Sequence, residues 1–453
     1  MRGDFGVDPK TGLLVKQPGS RVNYLPFPVT AGTRITLKNK ALRCGIFYYS
    51  KEIPGELIHT YTYQPESNWA TYRPDRSSPD WDGNERTLEW DGFVRLVFSG
   101  AAEEMRAFPA EERGHAKESD AAEQVLQNLV DIRPAEGTAT CIATDGAAAE
   151  VPAWLEDEVR EKAARVFDRR EEGDLTLFLL ADTHDTVNGI WPETRQSLSE
   201  MAGRIKPDGI VHLGDFVDGL LPARYTRSLV QRQLDDLRAI SEKLYVCVGN
   251  HDWNYFKGNT TRFTETETAK LYLGSKEPRY FADLPDKKLR MIFPDSFDPN
   301  RKDRFGFTMK TVRWFAKTLR TTPQGWRILV FSHVTPVSKL HVWSKEIRNG
   351  ERMITLLERA ERRWPGTVLG WIHGHSHADQ VFKERSFPII GIGCAKLEDF
   401  ADHKPAGSVT YARERGTALQ ELWDVLLIHA KGGMDFIRFG AGEDRHIETE
   451  ANA

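Results

Sequence analysis

Residues 177–185 have the sequence LFLLADTHD, in which a continuous apolar run ends in an aspartate, a small polar residue and a histidine. A short apolar run of this kind predicts a strand that is buried on both faces. Asp182 and His184 would then lie just past its carboxyl end, two residues apart and pointing the same way. Open α/β sheets bind their ligands at such strand ends, so the stretch predicts one half of a metal site.

Four later segments follow the same pattern, an apolar run that ends in potential metal ligands. They are VHLGDFVDG at 211–219, YVCVGNHDW at 245–253, ILVFSHVTP at 328–336 and VLGWIHGHSH at 368–377. A single aspartate or histidine after a strand is more often a cap or a satisfied polar group than a ligand. Five such strand ends in succession favour a shared site.

Length and composition limit the alternatives. The chain has 453 residues, which predicts two or three domains, and its 40% hydrophobic content is enough for a sizeable core. The formal net charge is −4, so there is no global basic surface for phosphate contacts. Composition therefore disfavours a dedicated nucleic-acid binder, although a local basic groove stays open as an alternative.

The cysteines and the first residues bear on the compartment. The four cysteines are far apart and include no CxxC pair, which indicates reduced core residues; they are Cys44, Cys141, Cys247 and Cys394. The start, MRGDFGVDPKTG, lacks a signal-peptide pattern, and there is no uncharged apolar run of ~18 residues. We expect a cytoplasmic protein without a membrane segment. Release as part of a phage particle and the oligomeric state stay open.

The first 110 residues have the pattern of a small all-β accessory domain. After an irregular arm over residues 1 to about 20, strands are predicted at 34–37, 44–50, 59–63, 86–90 and 93–99. This part resembles the β-sandwich modules appended to secreted or phage-tail proteins. Trp69, Trp81 and Trp90 are expected to pack in the core or in loops, with a sugar-stacking platform as the alternative.

Residues 111–152 are charged and Ala-rich, which predicts a linker with one short helix near 120–130. The main domain is then expected at 153–453. It opens with an amphipathic helix, since Leu155, Val159, Ala163 and Val166 recur at helical spacing. Further helices are predicted at 193–204, 227–242, 309–320 and 344–363, between the apolar strands. This alternation predicts right-handed crossovers and one central sheet.

The motif order DTH, GDFVD, GNHD, SH and GHSH resembles that of the calcineurin-like metallophosphoesterases, and the resemblance covers about residues 174–440. The first three motifs are spaced by 33 and 35 residues, as one βα unit each requires. The resemblance implies an α/β fold, a four-layer α/β/β/α sandwich, preceded here by the all-β domain. A strand at 387–396 and a hairpin at 421–440 would complete the second sheet.

The resemblance also implies two divalent metal ions and their ligands. Asp215 would bridge the two ions. Asp182, His184 and His377 would complete the shell of the first, and Asn250, His333 and His375 that of the second. Mixed imidazole, carboxylate and amide ligands suit Mn, Fe, Zn or Ni. The chemistry asks for ions ~3.5–4 Å apart that hold a bridging hydroxide, which attacks phosphorus in line with the leaving oxygen.

Other polar residues near the motifs have different expected roles. His251 is expected to protonate the leaving alkoxide or to stabilise the phosphoryl oxygens, with Asp252 holding its imidazolium. Asp218 is expected to support a ligand or to cap a helix, and His212 and His373 to be core residues. Asp185, where the family has a small or apolar residue, would repel strongly anionic substrates or add a hydrogen bond. No role is predicted for the remaining histidines: His59, His115, His341, His403, His429 and His446.

The expected function is a metal-dependent hydrolase of phosphoric esters, a phosphodiesterase or a phosphatase. A phosphorylated small molecule, a nucleotide or a polymer fits as the substrate. Two alternatives stay open: a nuclease, which would need a basic groove near the metals, and a phage or surface-associated glycan-binding protein with accessory phosphoesterase activity. Salt-dependent DNA binding would favour the first alternative, and glycan binding by residues 1–110 alone would favour the second.

Overall fold

The structure is a computed structural model that divides the chain into two compact units. The described residues are 2–7, 14–22, 27–29, 31–37, 43–50, 57–63, 85–88, 92–99, 130–133, 152–185, 190–219, 223–255, 261–301, 304–342, 346–398 and 404–448. The first unit comprises Met1–Ala147, Leu220–Ser228 and Phe256–Arg262. The second comprises Ala148–Gly219, Leu229–Tyr255 and Phe263–Ala453.

Strands are the regular elements of the first 147 residues that the structure describes, as the sequence predicts. They are β1 (Arg2–Val7), β2 (Leu14–Val22), β3 (Phe27–Val29), β4 (Arg34–Leu37), β5 (Arg43–Ser50), β6 (Leu57–Tyr63), β7 (Glu85–Thr87), β8 (Gly92–Ser99) and β9 (Val130–Arg133). One sheet has the order β1-β2-β8-β5-β6, with β3 also paired to β8, and a smaller one has the order β7-β4-β9.

The expected irregular arm over residues 1 to about 20 is wrong, because this stretch forms β1 and β2. The two strands pair antiparallel with each other, and β2 also pairs with β8. Pairing on both sides satisfies the backbone of β2 and overrides its polar, Gly- and Pro-containing composition. The helix expected near 120–130 and the tryptophans Trp69, Trp81 and Trp90 lie outside the described residues.

The second unit alternates helices and strands. The helices are α1 (Ala153–Arg169), α2 (Trp191–Ile205), α3 (Ala223–Ile240), α4 (Glu265–Leu273), α5 (Met309–Arg320) and α6 (Gly350–Arg363). The strands are β10 (Leu175–Leu180), β11 (Gly209–His212), β12 (Leu244–Val246), β13 (Tyr280–Leu284), β14 (Leu289–Phe293), β15 (Arg327–Ser332), β16 (Val368–His373), β17 (Gln380–Phe382), β18 (Ile389–Gly391), β19 (Leu422–Ile428), β20 (Met434–Gly440) and β21 (Arg445–Ile447). Of the described helices, none has both the length and the apolar character required to cross a membrane.

The strands of this unit form two sheets, so the expectation of one central sheet is wrong. The first sheet has the order β12-β11-β10-β19-β20-β21 and the second has the order β13-β14-β15-β16-β18-β17. The C-terminal hairpin β19–β20 joins the first sheet, whereas β18 joins the second. A single apolar core draws on both sheets, including Leu177 and Leu426 from the first and Leu329 and Ile372 from the second. The implied four-layer α/β/β/α fold is thereby confirmed.

The first motif strand shows why its sequence is apolar throughout. Leu175, Leu177 and Leu179 of β10 belong to the core between the sheets. Phe178, on the opposite face, packs edge-on against Trp423 with ring centroids 5.0 Å apart. Since successive side chains of a strand alternate between faces, a strand covered on both faces needs an unbroken apolar run.

Parallel pairing aligns the ends of the motif strands. In the first sheet, Leu180 of β10 is level with His212 of β11, which is level with Val246 of β12. In the second sheet, Ser332 of β15 is level with His373 of β16. The segments that leave these strand ends therefore emerge at common edges, where their polar side chains meet.

A buried ion network fixes the end of the chain near the GHSH motif. Arg438 of β20 is fully buried and contacts Asp424 of β19 at 2.9 Å and Asp379 at 2.8 Å. Arg445 contacts the same two carboxylates at 2.6 and 3.0 Å. Asp379 lies two residues after the last motif histidine, so the network joins that loop to the C-terminal hairpin.

Replacing the central arginine of this network should destabilise the fold. We expect Arg438→Met to lower the free energy of unfolding by ~3–5 kcal/mol, because it leaves two buried carboxylates without their main partner. Urea denaturation measures the change. The control Arg385→Met, which removes a pair with the exposed Glu351, should cost less than ~1 kcal/mol. Similar losses for both variants would show that the network contributes no more than a surface pair.

Candidate metal centre

The seven expected ligands all lie just after strand ends in the second unit. Asp182 and His184 follow β10, Asp215 follows β11, Asn250 follows β12, His333 follows β15, and His375 and His377 follow β16. Six of these seven residues are buried, and the seventh, His377, is half-buried. Polar side chains buried at strand ends need partners, which here are mostly one another.

The first ligand cluster consists of Asp182, His184 and His377. Its ligand atoms lie within 4.8 Å of one another. His377 Nε2 is 3.3 Å from Asp182 Oδ1 and 3.2 Å from His184 Nε2. If each ring carries its single proton on Nδ1, the two Nε2 lone pairs face each other with no hydrogen between them. A cation between the three side chains would satisfy them together.

The second ligand cluster consists of Asn250, His333 and His375. His333 Nε2 lies 3.0 Å from Asn250 Oδ1 and 3.1 Å from His375 Nδ1. Asp215 Oδ2 lies 3.1 Å from the same nitrogen and 3.8 Å from His184 Nε2 in the first cluster. The Asp215 carboxylate therefore lies between the two clusters.

A buried oxygen supports the fit to a cation. Asp182 is fully buried, and its Oδ1 accepts no hydrogen bond from the described part of the chain. Its other oxygen accepts the backbone N–H of His375 at 2.9 Å. An unpaired buried carboxylate oxygen is costly unless a cation coordinates it. The donor set of imidazole nitrogens with carboxylate and amide oxygens suits a divalent transition metal.

The charges of the centre favour a cation as well. Burial disfavours the protonated form of His333, but Asp215 and Asp182 outweigh it and raise the pKa of His333 to about 9. Burial likewise opposes ionisation of Asp215, but His333 and His251 outweigh it and hold the pKa of Asp215 below its usual range. Positive charge is thus stabilised between these side chains, and a bound metal would supply it while the imidazoles stay neutral.

The backbone at the centre is strained. Five expected ligands have positive φ angles between 42° and 65°; they are Asp182, His184, Asp215, His375 and His377. Such a conformation costs an aspartate or a histidine of the order of 1–3 kcal/mol. Two motif glycines allow the turns to pack this closely. A Cβ on Gly249 would lie 2.1 Å from Asp215 Oδ1, and one on Gly374 would lie 2.7 Å from Asp182 Oδ2.

His251 adjoins Asp215 and the first ligand cluster. Its backbone N–H donates to Asp215 Oδ1 at 2.8 Å, and its Nε2 lies 3.9 Å from Asp215 Oδ2. Its Nδ1 lies 2.5 Å from the carbonyl oxygen of Asp218, so that carbonyl orients the ring. The ring centroid lies 4.9 Å from that of His184.

The interpretation of Asp252 as the partner of the His251 imidazolium needs correction. Its two carboxylate oxygens accept the backbone N–H groups of Asp215, Phe216 and Gly249, each at 2.8 Å. Burial is the largest effect on this carboxyl and, with the nearby Asp215, raises its pKa to about 7. Three backbone donors hold Asp252 in place, so it positions the turn that carries Asp215.

Two interpretations of neighbouring histidines are confirmed, and that of Asp218 stays a prediction. Asp218 Oδ1 lies 2.9 Å from His184 Nδ1, but His184 Nδ1 makes no hydrogen bond within the described residues. His212 is a core residue: it stacks on Phe216 with ring centroids 3.6 Å apart, and burial lowers its pKa to about 3. His373 is also buried, and burial lowers its pKa to about 4.

Of the two roles expected for Asp185, the structure contradicts the repulsion of anionic substrates and agrees with an added hydrogen bond. Asp185 is buried and forms an ion pair with Arg232 of α3. The Arg232 guanidinium compensates the negative charge of the Asp185 carboxylate, so this carboxylate would not repel phosphorylated substrates.

Two residues near the ligands have no predicted role in the sequence analysis. His341 Nε2 lies 2.9 Å from His375 Nε2, and the two rings stack at 4.9 Å. Glu398 Oε1 lies 2.9 Å from His377 Nδ1. Neither residue belongs to a motif. The one signal in the sequence was the apolar strand β18 that precedes Glu398. Its last residue, Gly391, pairs with His373 at the end of β16, so the segment that follows β18 starts beside the GHSH loop.

The two-sheet fold with ligand clusters at its strand ends is that of a metallophosphoesterase. Residues 175–379 match the family model described as calcineurin-like phosphoesterase. The family that the motif order suggests is thereby confirmed.

Solved structures give further similarities. A dimetal phosphatase from Danio rerio is 16% identical, with 61% of this chain and 99% of that chain covered and a TM-score of 0.44. GAP50 of Plasmodium, described as the anchor in the inner membrane complex, is 16% identical, with coverages of 62% and 90% and a TM-score of 0.43. PhoD is 10% identical, with coverages of 96% and 92% and a TM-score of 0.38. Among curated proteins there is no match.

The close approach at Gly249 is testable. We expect Gly249→Ala to lower the free energy of unfolding of the metal-free protein by ~1–3 kcal/mol, because the added methyl group collides with Asp215. Gly203→Ala is the control, since a Cβ there meets no atom within 4 Å and the residue lies in a helix. It should stabilise by ~0.5–1 kcal/mol. Equal stability of parent and Gly249→Ala in chemical denaturation would contradict the packing argument.

Proposed function

We propose that this protein is a binuclear-metal hydrolase of phosphoric esters, acting as a phosphodiesterase or a phosphatase. Its family membership supports phosphoester hydrolysis. The single observation that carries the two-metal form is the Asp215 carboxylate, 3.1 Å from His333 Nε2 on one side and 3.8 Å from His184 Nε2 on the other. One carboxylate shared by two imidazole clusters is the arrangement that a pair of divalent ions requires.

The ligand clusters define which residues would hold the ions. Asp182, His184 and His377 would hold one, and Asn250, His333 and His375 the other, with Asp215 shared. When bound, the ions would polarise the phosphoryl group and make water nucleophilic near neutral pH. Mn, Fe, Zn and Ni all suit these donors.

His251 is proposed as the general acid. The Asp218 carbonyl oxygen accepts a hydrogen bond from Nδ1–H, which orients the opposite nitrogen, Nε2, toward Asp215. A protonated Nε2 can then donate to the leaving oxygen of a phosphoric ester. Asn250 supplies the proposed ligand from the same turn, so His251 is left for proton transfer.

The division of the chain is part of the proposal. We place the accessory β domain at 1–110, the linker at 111–152 and the catalytic domain at 153–453, and one strand within the linker range, β9, pairs with β4 of the β domain. Every proposed ligand lies within Ala148–Gly219, Leu229–Tyr255 or Phe263–Ala453, the segments of the second unit. Hydrolysis of a small ester would then use groups of that unit alone.

The proposed function is tested by metal content and activity together. We expect up to two transition-metal ions per chain and metal-dependent hydrolysis of bis-p-nitrophenyl phosphate, of p-nitrophenyl phosphate, or of both. Asp215→Ala removes the shared carboxylate, so it should reduce metal content below one ion per chain and abolish activity. The control Asp286→Ala changes an exposed aspartate and should keep both. Full metal content in Asp215→Ala would refute the shared-ligand assignment.

A second experiment separates proton transfer from metal binding. We expect His251→Ala to keep its metal and to lower turnover by ~10²–10⁴-fold, the range for a general acid. The loss should be smaller for p-nitrophenyl esters than for alkyl esters, because p-nitrophenolate leaves without a proton. His446→Ala, a change at an exposed histidine, is the control.

Two outcomes would contradict the role of His251. Loss of metal from His251→Ala would make this residue a ligand. An equal loss of turnover for both types of ester would leave it as an electrostatic stabiliser of the phosphoryl oxygens.

A further inference from the structure

The two histidines of the first ligand cluster each have a carboxylate close to Nδ1, but only one of the two contacts is a hydrogen bond. His377 Nδ1 is hydrogen-bonded to Glu398 Oε1 at 2.9 Å. His184 Nδ1 lies 2.9 Å from Asp218 Oδ1 but makes no hydrogen bond within the described residues. In each ring the other nitrogen, Nε2, is the one that approaches Asp182. A carboxylate at Nδ1 holds the proton there and leaves the lone pair of Nε2 for a metal.

Each supporting carboxylate also contacts a lysine. Lys396 Nζ lies 3.4 Å from Asp218 Oδ1, and Lys404 Nζ lies 3.2 Å from Glu398 Oε1. The side chains of Glu398 and Lys404 are each only 9% exposed. The lysines compensate the carboxylate charge, so the buried carboxylates can remain ionised beside their histidines.

The second ligand cluster has neutral support instead. His333 Nδ1 lies 2.9 Å from the carbonyl oxygen of Leu213. His375 Nε2 lies 2.9 Å from Nε2 of His341. A carbonyl or an imidazole raises the basicity of a ligand histidine less than a carboxylate does. The two clusters therefore differ in the electron density that their imidazoles offer to a metal.

We propose that Glu398 is a positioning residue that makes the first ligand cluster the tighter of the two metal positions. It acts through its hydrogen bond to His377, with Lys404 as its counter-charge. The inference rests on the proposed metal centre. Glu398, Lys396 and Lys404 all lie beyond residues 175–379, the segment that matches the family. The carboxylate that supports His377 and its counter-charge therefore both come from outside that segment.

A third metal site is the competing explanation for the same residues. His377, Cys394 and Glu398 place potential ligand atoms within 4.8 Å of one another. However, the Lys404 ammonium group already lies 3.2 Å from Glu398 Oε1, and a divalent cation beside it would be repelled. The geometry therefore favours support of His377 over coordination of a further ion.

The affinity for cobalt(II), measured by competition with a chelator, tests the proposal on the full chain. We expect Glu398→Gln to weaken one of the two binding steps by ~10–100-fold and to leave the other unchanged. Glu384→Gln is the matched control, since it removes a carboxylate from an exposed pair with Lys339. The melting temperature of the metal-free variant should stay near that of the parent, which excludes a general loss of structure.

Two backgrounds assign the weakened step to a cluster. With His333→Ala, which impairs the second cluster, Glu398→Gln should still weaken the remaining ion by ~10–100-fold. With His377→Ala, which removes the histidine that Glu398 contacts, it should have no further effect. Such dependence on His377 is what a merely structural role would not give.

The outcomes separate this inference from the proposed function. A parent protein without cobalt binding would overturn both. Two ions in the parent with unchanged affinities in Glu398→Gln, or equal weakening of both steps, would overturn the inference alone. A third bound ion that Cys394→Ser removes would establish the competing site instead.

Discussion

The site depends on one buried carboxylate, Asp215, serving two groups of imidazoles at once. It is 1% exposed and has His333 on one side and His184 on the other. Negative charge at this depth is tolerated only where positive charge is close. Imidazoles lie directly beside Asp215 and can carry that positive charge. Carboxylates and backbone groups orient the imidazoles, and lysines compensate the charge of the carboxylates.

Bringing these groups together strains the backbone, and contacts outside the two clusters offset that strain. Five of the candidate ligands have left-handed backbone conformations, which are energetically unfavourable for aspartate and histidine. The turns that contain them are fixed by groups with no part in the chemistry. Asp252 binds three backbone amides, and Asp379 joins the GHSH loop to Arg438. Rigid support of this kind keeps ligands in place that would otherwise relax.

The places of the seven candidate ligands in the fold were predictable from the sequence because their signal is local. An apolar run followed by Asp or His gives both the strand and the position of its end, and all seven predicted ligands lie at such ends. Sheet membership is not local. Strands β10 and β15 have the same apolar character yet lie in different sheets. The first 20 residues lack a clear strand pattern, and they form β1 and β2 because they pair with each other and with β8. His341 and Glu398 were missed because their places beside His375 and His377 arise from tertiary contacts alone.

The position of β19 has a consequence for how the chain folds. β10 lies between β11 and β19, so one of its edges is completed by residues 422–428, more than 240 positions later. Until residues 422–428 have been synthesised, this edge of the apolar strand β10 stays unpaired, and unpaired strand edges promote aggregation with other chains. Contacts of such long range also slow folding. A nascent chain that ends at residue 379 would carry every proposed ligand and still expose this edge, so its yield would depend on protection from aggregation.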